Sequence, residues 1–475
     1  MTQKEALEIL KSGVNVFITG SAGSGKTHLL NQYINYLRDK NIPTAVTAST
    51  GIAATHLSGM TIHAWAGIGI RDNLSQYDLE MLESKEYLVK RIQNTNVLII
   101  DEVSMLDAKR LDMVEWICRH LKRNERAFGG MQVILCGDFF QLPPVRKSVA
   151  PTEIKKEPSI NLFTNEEETE DETPKDMVIH SRAWRTMRPA VCYLSEQYRQ
   201  EDTEFLEILN AVRAGNVSDK HFELIESRID VKLPLGIEPT RLYTHNMDVD
   251  VINQIRLNKI GGSEKTYQMK DEGTPVLVSI LKKSCLAPEI LRLKIGAEVM
   301  FLKNNFEKGY ANGTRGKVYT FLSDDSPIIR LQNGTEITVT PEEWGIEENG
   351  KQKAVISQLP LRLAWAITIH KSQGMSLDSA EIDLSKTFAY GMGYVALSRA
   401  RTLEGVRLVG FHRDALLADP EVLLLDKDFK KESKENGELF KKLSKSELEK
   451  MQNNFVSRVS VSQKSKTKPR RKRKK

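Results

Sequence analysis

Residues 20–27, GSAGSGKT, combine glycines with a lysine and a hydroxyl side chain at a fixed spacing, between an apolar run and a helical pattern. The sequence matches G-x-x-x-x-G-K-[ST], in which glycines let backbone N–H groups curl around phosphate oxygens. Lys26 is placed to reach the β- and γ-phosphates, and Thr27 to ligate Mg²⁺. An ordinary glycine turn is the alternative, which the strand-to-helix context disfavours. The predicted nucleotide-binding residues of this loop are Gly20, Ala22, Gly23, Ser24, Gly25, Lys26 and Thr27.

A second chemical signal is VLIIDEVSML at 97–106, where an apolar run ends in two adjacent carboxylates. Asp101 is the candidate Mg²⁺ ligand, and Glu102 is the candidate base that accepts a proton from the attacking water. Asp-Glu pairs are common on protein surfaces, but this pair follows a predicted buried strand downstream of a phosphate-binding loop. The pattern therefore favours nucleotide hydrolysis over nucleotide binding alone.

A third signal is ILCGDFFQLPPV at 134–145, which holds an uncharged glutamine just beyond another apolar run. The two prolines cannot continue a strand, so the chain must leave the sheet here. Gln141 can donate to phosphate and accept from water or a neighbour, so we predict that it lies near the γ-phosphate. The alternative is that its amide only satisfies backbone groups where the strand ends.

Charge that develops on the phosphates during hydrolysis is often stabilised by arginine from another structural unit. Arg199 in LSEQYRQ and Arg399 in YVALSRAR are candidates in the second half of the chain. Surface salt bridges are the alternative for both residues. The residue pattern alone does not select these two from the other arginines.

The scaffold for these residues follows from the apolar patterning. Short apolar runs at 14–20, 44–50, 97–100 and 132–137 alternate with helical stretches, which predicts a parallel, doubly wound α/β domain. From about 275 to 358 the residues alternate in polarity and include the hairpin signal Asn333-Gly334. We interpret this stretch as a small β-barrel inserted into a second α/β domain, whose pattern resumes at 359–374.

Composition limits the class of protein. A chain of 475 residues, 40% hydrophobic and 28% charged, is typical of a globular protein with more than one domain. Its four cysteines lack C-x-x-C spacing, which argues against zinc, an iron–sulfur cluster or a disulfide framework. No apolar run is long enough to cross a membrane, and the first residues are unlike a signal peptide. We expect an intracellular protein, cytoplasmic if bacterial and, given its basic tail, nuclear if eukaryotic.

The net charge of +6 is concentrated at one end of the chain. Residues 464–475 contain nine Lys and Arg and no acid, and removing these nine charges from +6 leaves −3 for the remainder. Any nucleic-acid affinity of the body must therefore come from patterned sites and not from bulk charge. A polar stretch at about 146–177, which includes NEEETEDETPKD, predicts a surface insertion.

The motif order resembles that of superfamily-one helicases: GSAGSGKT, STGIAA, TIHAW, IIDEVSML, GDFFQLPPV, LSEQYR, ITIHKSQGMSLD and YVALSRAR. More narrowly, residues 1–425 resemble the Pif (petite integration frequency) family of 5′-to-3′ DNA helicases, to which RecD and Dda are related. The polar insertion departs from compact members of that family. The resemblance implies an ATP- and Mg²⁺-dependent motor in DNA repair, recombination, telomere or genome maintenance. Its partners would be single-stranded and forked duplex DNA, with no membrane, and it would act as a monomer.

The implied fold is two RecA-like parallel-sheet motor domains with a small inserted β-barrel and a short wedge insertion. The expected boundaries are 1–185 for the first motor, with the wedge at about 66–80; 186–256 and 356–430 for the second motor; 257–355 for the barrel; and 431–475 for a lysine-rich extension and basic tail.

The resemblance also assigns roles by position. Gln3 would read the adenine edge, Gly374 would contact the nucleotide, Gln141 would link the γ-phosphate to the DNA groove, and Arg199 and Arg399 would be the two arginine fingers. Small and hydroxyl residues at strand ends suit phosphate contacts that do not read sequence. Core packing is the alternative for aromatic candidates such as Phe140. The candidate DNA-binding residues are Thr50, Gly51, His63, Phe140, His370, Lys371 and Ser372.

Three other functions remain open. The chain could be a RecD-like motor subunit of a nuclease complex, although a long N-terminal docking segment is not evident. It could be a P-loop switch or kinase that never moves on a polymer, but the base-reading N-K-x-D motif is not present in the sequence. A non-enzymatic DNA-binding scaffold would not need Lys26, Asp101 and Glu102. Stimulation of ATP hydrolysis by single-stranded DNA separates a DNA motor from the switch or kinase.

Overall fold

The computed structural model describes residues 1–69, 71, 73–144, 177–197, 202–231, 239–243, 249–305, 307–331, 333–348, 351–385 and 390–460. The candidate finger Arg199, the side chain of His370, nearly all of the polar insertion and the basic tail lie outside the described residues. None of the described helices is both long and apolar enough to span a membrane.

The first domain is built on six parallel strands in the order β3-β2-β4-β5-β1-β6. Every residue of β1, β4 and β5 is buried, as expected for central strands of a parallel sheet with both faces covered. The strands are β1 (Val16–Gly20), β2 (Thr44–Ala48), β3 (Met60–Thr61), β4 (Val97–Asp101), β5 (Gln132–Cys136) and β6 (Ala190–Leu194). The helices are α1 (Gln3–Lys11), α2 (Lys26–Asp39), α3 (Gly51–His56), α4 (Ile62–Ala66), α5 (Gln76–Glu83), α6 (Glu86–Gln93), α7 (Ala108–Lys122) and α8 (Arg182–Met187).

The predicted end of the first domain at residue 185 needs correction. Strand β6 pairs in parallel with β1 along its whole length, so the first sheet includes residues up to Leu194. Backbone pairing with a distant strand, and not local pattern, decides this boundary. The predicted wedge region at 66–80 leads into the pair of short helices α5 and α6.

The second domain begins after β6 and has its own parallel sheet. Its first elements are α9 (Thr203–Ala214), α10 (Asp219–Glu226), β7 (Thr240–Tyr243) and α11 (Val249–Asn258).

An insertion of antiparallel strands follows α11. Its elements are β8 (Lys265–Gln268), β9 (Lys270–Gly273), α12 (Pro275–Ser284), β10 (Ile290–Leu293), β11 (Glu298–Phe301), β12 (Arg315–Phe321), β13 (Pro327–Leu331), β14 (Glu336–Thr338), β15 (Glu342–Glu348) and β16 (Lys351–Gln358). The predicted hairpin at Asn333-Gly334 joins β13 to β14. The predicted barrel is not confirmed, because the described strands pair into separate sheets of five, three and two strands.

The chain then completes the second domain. Strand β17 (Leu361–Leu363) joins the five-stranded sheet of the insertion, whereas β18 (Ala366–Thr368), β19 (Ala380–Leu384) and β20 (Val406–Phe411) pair in parallel in the order β18-β7-β19-β20. The remaining helices are α13 (Met392–Leu397), α14 (Pro420–Lys442) and α15 (Lys445–Val459).

The two C-terminal helices fold back onto the first domain. Ser433 of α14 accepts a hydrogen bond from the backbone N–H of Tyr193 in β6, at 2.9 Å. Phe455 of α15 is 3% exposed and packs against Gly13, two residues beyond the end of α1. The predicted lysine-rich extension is therefore, up to residue 460, part of the packed first domain.

Candidate nucleotide site and nucleic-acid interface

The phosphate-binding loop connects β1 to α2, as its sequence predicts. Lys26 Nζ donates to the backbone oxygens of Gly20 and Ser21, at 2.8 and 3.0 Å. Ser24 is fully buried, and its hydroxyl has no hydrogen-bond partner among the described residues. A buried polar group without a partner is unfavourable in a protein interior. The loop therefore holds a lysine and an unsatisfied hydroxyl that suit a phosphate-bearing ligand.

Helix α1 places Gln3 beside this loop. The Gln3 side-chain amide donates to the backbone oxygen of Ser24 at 3.3 Å, and its backbone N–H donates to Glu196 Oε2 at 2.9 Å. A capping box formed by Thr2 and Glu5 fixes the start of the helix. Gln3 thus lies where a glutamine can meet a nucleotide bound in the loop, although its contact with adenine stays a prediction.

The paired carboxylates stand at the end of β4. Asp101 is buried, and burial raises its pKa, partly offset by hydrogen bonds from Cys136 and from the backbone N–H of Glu102. Burial, followed by the neighbouring Asp101 carboxylate, raises the pKa of Glu102 to about 7. A carboxylate with a pKa near neutral pH is well matched to accepting a proton. The backbone at Glu102 is left-handed, with φ of 51°.

Arg399 approaches this pair from the second domain. Its side chain is 1% exposed, and its Nε and Nη2 donate to Val395 O at 2.9 Å and to Ser398 Oγ at 2.8 Å. Its positive charge, together with that of Lys26, acts to lower the pKa of Glu102. A cation from the second domain therefore interacts electrostatically with the candidate base of the first domain.

Gln141 is buried at the end of β5, and its side-chain amide donates to Asp138 Oδ2 at 3.3 Å. Asp138 is itself 1% exposed and receives two hydrogen bonds from Arg213 Nη1, at 2.7 and 2.8 Å. Burial raises the pKa of Asp138, but the charges of Arg213 and Lys26, together with hydrogen bonds from Arg213 and Gln141, hold the pKa below its usual value. Gln141 is thus anchored to a buried ion pair that joins the two domains.

Sequence reasoning missed Asp138, Arg213 and Tyr394 as members of the site. A signal for Arg213 was present, because it lies four residues after the buried Leu209 on α9. That spacing puts an arginine on the apolar face of a helix, where a charge is rarely found without a partner.

Helix α3 carries the candidate DNA residues Thr50 and Gly51 at its start and contacts elements from the second half of the chain. Thr50 caps α3, its hydroxyl accepting a hydrogen bond from Ala53 N at 3.3 Å, and Gly51 packs directly against Ser284 at the end of α12. Gly374 lies against His56 at the other end of α3. Its predicted role as a nucleotide contact gains no support from this position, which is on the side of the candidate DNA residues.

Two of the predicted DNA contacts have buried side chains in this structure. Phe140 is 4% exposed and lies beneath the Arg213 guanidinium, 4.2 Å from ring centroid to Cζ, so it cannot stack on a base in this arrangement. Ser372 is fully buried, and its hydroxyl donates to Ile369 O at 2.7 Å. Core packing, the alternative for Phe140, describes its environment. His63 and Lys371 remain partly exposed, and burial followed by the charge of Arg110 lowers the pKa of His63.

Comparison with known proteins agrees with this architecture. Residues 2–223 match the model of the PIF1-like helicase family, and residues 277–321 match that of the DNA helicase Pif1 2B domain. The chain is 41% identical to the ATP-dependent DNA helicase Pif1 of Psychrobacter sp., with 96% of this chain and 75% of that protein aligned. It is 37% identical to human ATP-dependent DNA helicase PIF1, covering 89% of this chain but 62% of the longer human protein.

Solved structures show the same fold. Bacteroides sp. Pif1 in complex with ADP-AlF4 is 32% identical, with a TM-score of 0.74 over 90% of this chain and 96% of that one. Bacteroides Pif1 bound to ssDNA is 32% identical, with a TM-score of 0.58 over 91% and 97%. The predicted family and the two-domain α/β fold are confirmed, and the chain belongs to the PIF1-like helicase family.

Proposed function

We propose that this ATP-dependent DNA helicase moves along single-stranded DNA from 5′ to 3′ and unwinds the duplex of a fork. The proposal rests foremost on Arg399 of the second domain acting on Glu102 of the first. When a nucleotide site takes its base from one domain and its cation from the other, hydrolysis depends on how the domains are placed. A cycle of binding and hydrolysis can therefore move one domain relative to the other.

The residues divide the chemistry among them. The loop N–H groups and Lys26 hold the phosphates, Glu102 removes a proton from the attacking water, and Arg399 stabilises the charge that develops on the phosphates. A general base contributes roughly 10²–10⁴-fold to such a step. An arginine finger contributes on the order of 10³–10⁵-fold.

We further propose Asp101 and Thr27 as the protein ligands of Mg²⁺. A carboxylate and a hydroxyl are hard oxygen donors, and magnesium at nucleotide sites commonly uses one or two protein oxygens together with substrate phosphates. The metal, when bound, neutralises phosphate charge. Deprotonated Asp101 is favoured by its hydrogen bonds from Cys136 and the Glu102 N–H, against the effect of burial.

On the DNA side, we assign phosphate contacts to Thr50 and Gly51 at the start of α3 and to Lys371, which follows β18. Such contacts position a strand without reading its sequence. The wedge region includes the start of α5, where Tyr77 is 69% exposed, and Tyr87 on the next helix, α6, is 61% exposed. Exposed aromatic rings suit contact with unstacked bases at a fork junction.

Two measurements test the function. ATP hydrolysis should rise severalfold on addition of single-stranded DNA, which a P-loop switch or a kinase would not show. Duplexes with a 5′ single-stranded tail should be unwound, and those with only a 3′ tail should not. The reverse preference would overturn the polarity, and hydrolysis without unwinding of either substrate would favour a motor subunit that requires a partner.

We also propose that one chain is sufficient for hydrolysis, because the loop, the base and Arg399 all belong to the same chain. Specific ATPase activity at saturating DNA should then be independent of protein concentration. An activity per chain that rises with concentration would instead indicate that a second copy completes the site.

A further inference from the structure

Arg213 occupies an unusual position for a charged side chain. It extends from α9 into the boundary between the two domains and is 5% exposed. Its Nη1 donates to both carboxylate oxygens of Asp138, and also to the hydroxyl of Tyr394 on α13, at 3.3 Å. Its Nη2 donates to the hydroxyl of Tyr193 at 3.1 Å and to Asp426 at 3.4 Å.

The Asp138 end of this cluster controls the geometry of Gln141. The Asp138 carboxylate accepts from the Gln141 side chain at 3.3 Å and from the Phe140 N–H at 3.2 Å. The Arg213 guanidinium also lies over the Phe140 ring. Because a guanidinium is planar and its donors are rigidly arranged, moving Arg213 would displace the whole segment that carries Gln141.

The Tyr394 end reaches the nucleotide loop. The Tyr394 hydroxyl accepts a hydrogen bond from the backbone N–H of Ala22 at 3.1 Å. Burial raises the pKa of Tyr394, so its hydroxyl remains protonated. A continuous series of contacts therefore runs from Ala22 through Tyr394, Arg213 and Asp138 to Gln141. It crosses from the first domain to the second and back.

We propose that Arg213 is a positioning residue that couples the nucleotide loop to Gln141. Arg213 contacts the nucleotide loop and α13 through Tyr394, and it sets the position of Gln141 through Asp138. The loop and Gln141 therefore shift together when the domains move. This role rests on the proposed helicase function. The competing explanation is that Arg213 only supports the structure, although a buried ion pair is weak evidence for stability.

A double-mutant cycle with Arg213→Lys and Gln141→Ala tests the coupling. Lysine keeps the charge but, as a single point donor, cannot hold Asp138 and Tyr394 together. Each single variant should lower the DNA-stimulated kcat about tenfold, with KM for ATP changed less than about threefold, and the double variant should also lose about tenfold. A loss of about a hundredfold in the double variant would show independent effects and overturn the proposal.

Structural damage is separated by two further proteins. Arg362→Lys alters another buried arginine, 7% exposed and paired with Asp250, so it reports the generic effect of the substitution and should leave DNA stimulation unchanged. Tyr394→Phe removes only a hydroxyl and replaces Arg213→Lys in the cycle if the latter does not fold. Normal DNA stimulation in the single variants would overturn the proposal. A lowered melting temperature, with the DNA-stimulated and unstimulated rates reduced by the same factor, would also overturn it, because it would indicate a structural role only. Absence of DNA stimulation in the unaltered protein would instead overturn the proposed function.

Discussion

Replacing Gly391 with alanine should separate the two domains at the nucleotide site. Gly391 precedes α13 with φ of 78°, and a Cβ there would lie 2.5 Å from Phe140 O and 3.2 Å from Gln141 O. Ordinary contacts begin near 3.4 Å, so the backbone segments must part by about 1 Å. The left-handed backbone adds roughly 1–2 kcal/mol of strain for any L-residue.

The displacement should reach Arg399, the proposed arginine finger. Helix α13 holds Arg399, because Val395 O accepts from Arg399 Nε at 2.9 Å. A misplacement of 1 Å at a reacting centre can lower a rate about 10²-fold. We therefore expect Gly391→Ala to lower the DNA-saturated kcat about a hundredfold while ATP binding changes little.

The assay is steady-state ATP hydrolysis at saturating single-stranded DNA, with a fluorescent ATP analogue to measure binding. Gly309→Ala is the matched control, because Gly309 has φ of 82° and a Cβ added there would meet nothing within 4 Å among the described residues. It carries the same backbone strain without the collision. If the two variants had kcat values within about threefold, the contact between Gly391 and the Phe140–Gln141 backbone would not position Arg399.

Four further outcomes are expected. Glu102→Gln should bind Mg-ATP normally but hydrolyse it at least about 100-fold more slowly in a single-turnover assay, and near-normal turnover would refute its role as the base. Arg399→Ala should lose roughly 10³-fold in kcat with little change in nucleotide affinity, whereas a collapse of affinity with normal turnover at saturation would make it a binding residue. Phe455→Ala should destabilise the first domain by about 3–5 kcal/mol in urea unfolding. Leu439→Ala on α14 is the control, and it should change the free energy of unfolding little because Leu439 is 60% exposed. Equal destabilisation by the two variants would show that α15 is not docked at Gly13. Deleting residues 464–475 should weaken DNA binding and reduce the slope of log affinity against log salt concentration. The reduction should be about 0.7 for each single-strand phosphate that the tail neutralises, and an unchanged slope would indicate another role for the tail.

Local sequence was sufficient to identify the candidate nucleotide site. Asp101 and Glu102 stand at the end of the short apolar run at 97–100, which predicts a buried strand. Lys26 and Thr27 close the glycine loop that follows the apolar run at 14–20. Parallel strands bring their carboxyl ends to one edge of a sheet, so the pattern alone predicted that these groups would meet. The same reasoning put Gln141 at that edge.

The sequence predicts which residues form the site better than it predicts the surroundings of each side chain. Phe140 was equally consistent with base stacking and with core packing, because an aromatic side chain favours both. The structure places Arg213 above its ring and buries it. Ser372 has a hydroxyl that suits phosphate, but its hydrogen bond to Ile369 turns that hydroxyl inward.

Sequence by itself determined the family, the α/β class and the residues of the candidate nucleotide site, since each depends on contiguous patterns. Tertiary structure alone decided that β6 belongs to the first sheet, that the inserted strands form separate sheets, and that α15 returns to Gly13. It also joined Arg213 to Asp138, 75 positions away, and to Tyr394, 181 positions away. Contacts between residues so distant in the chain depend on how whole elements pack, which no local periodicity encodes.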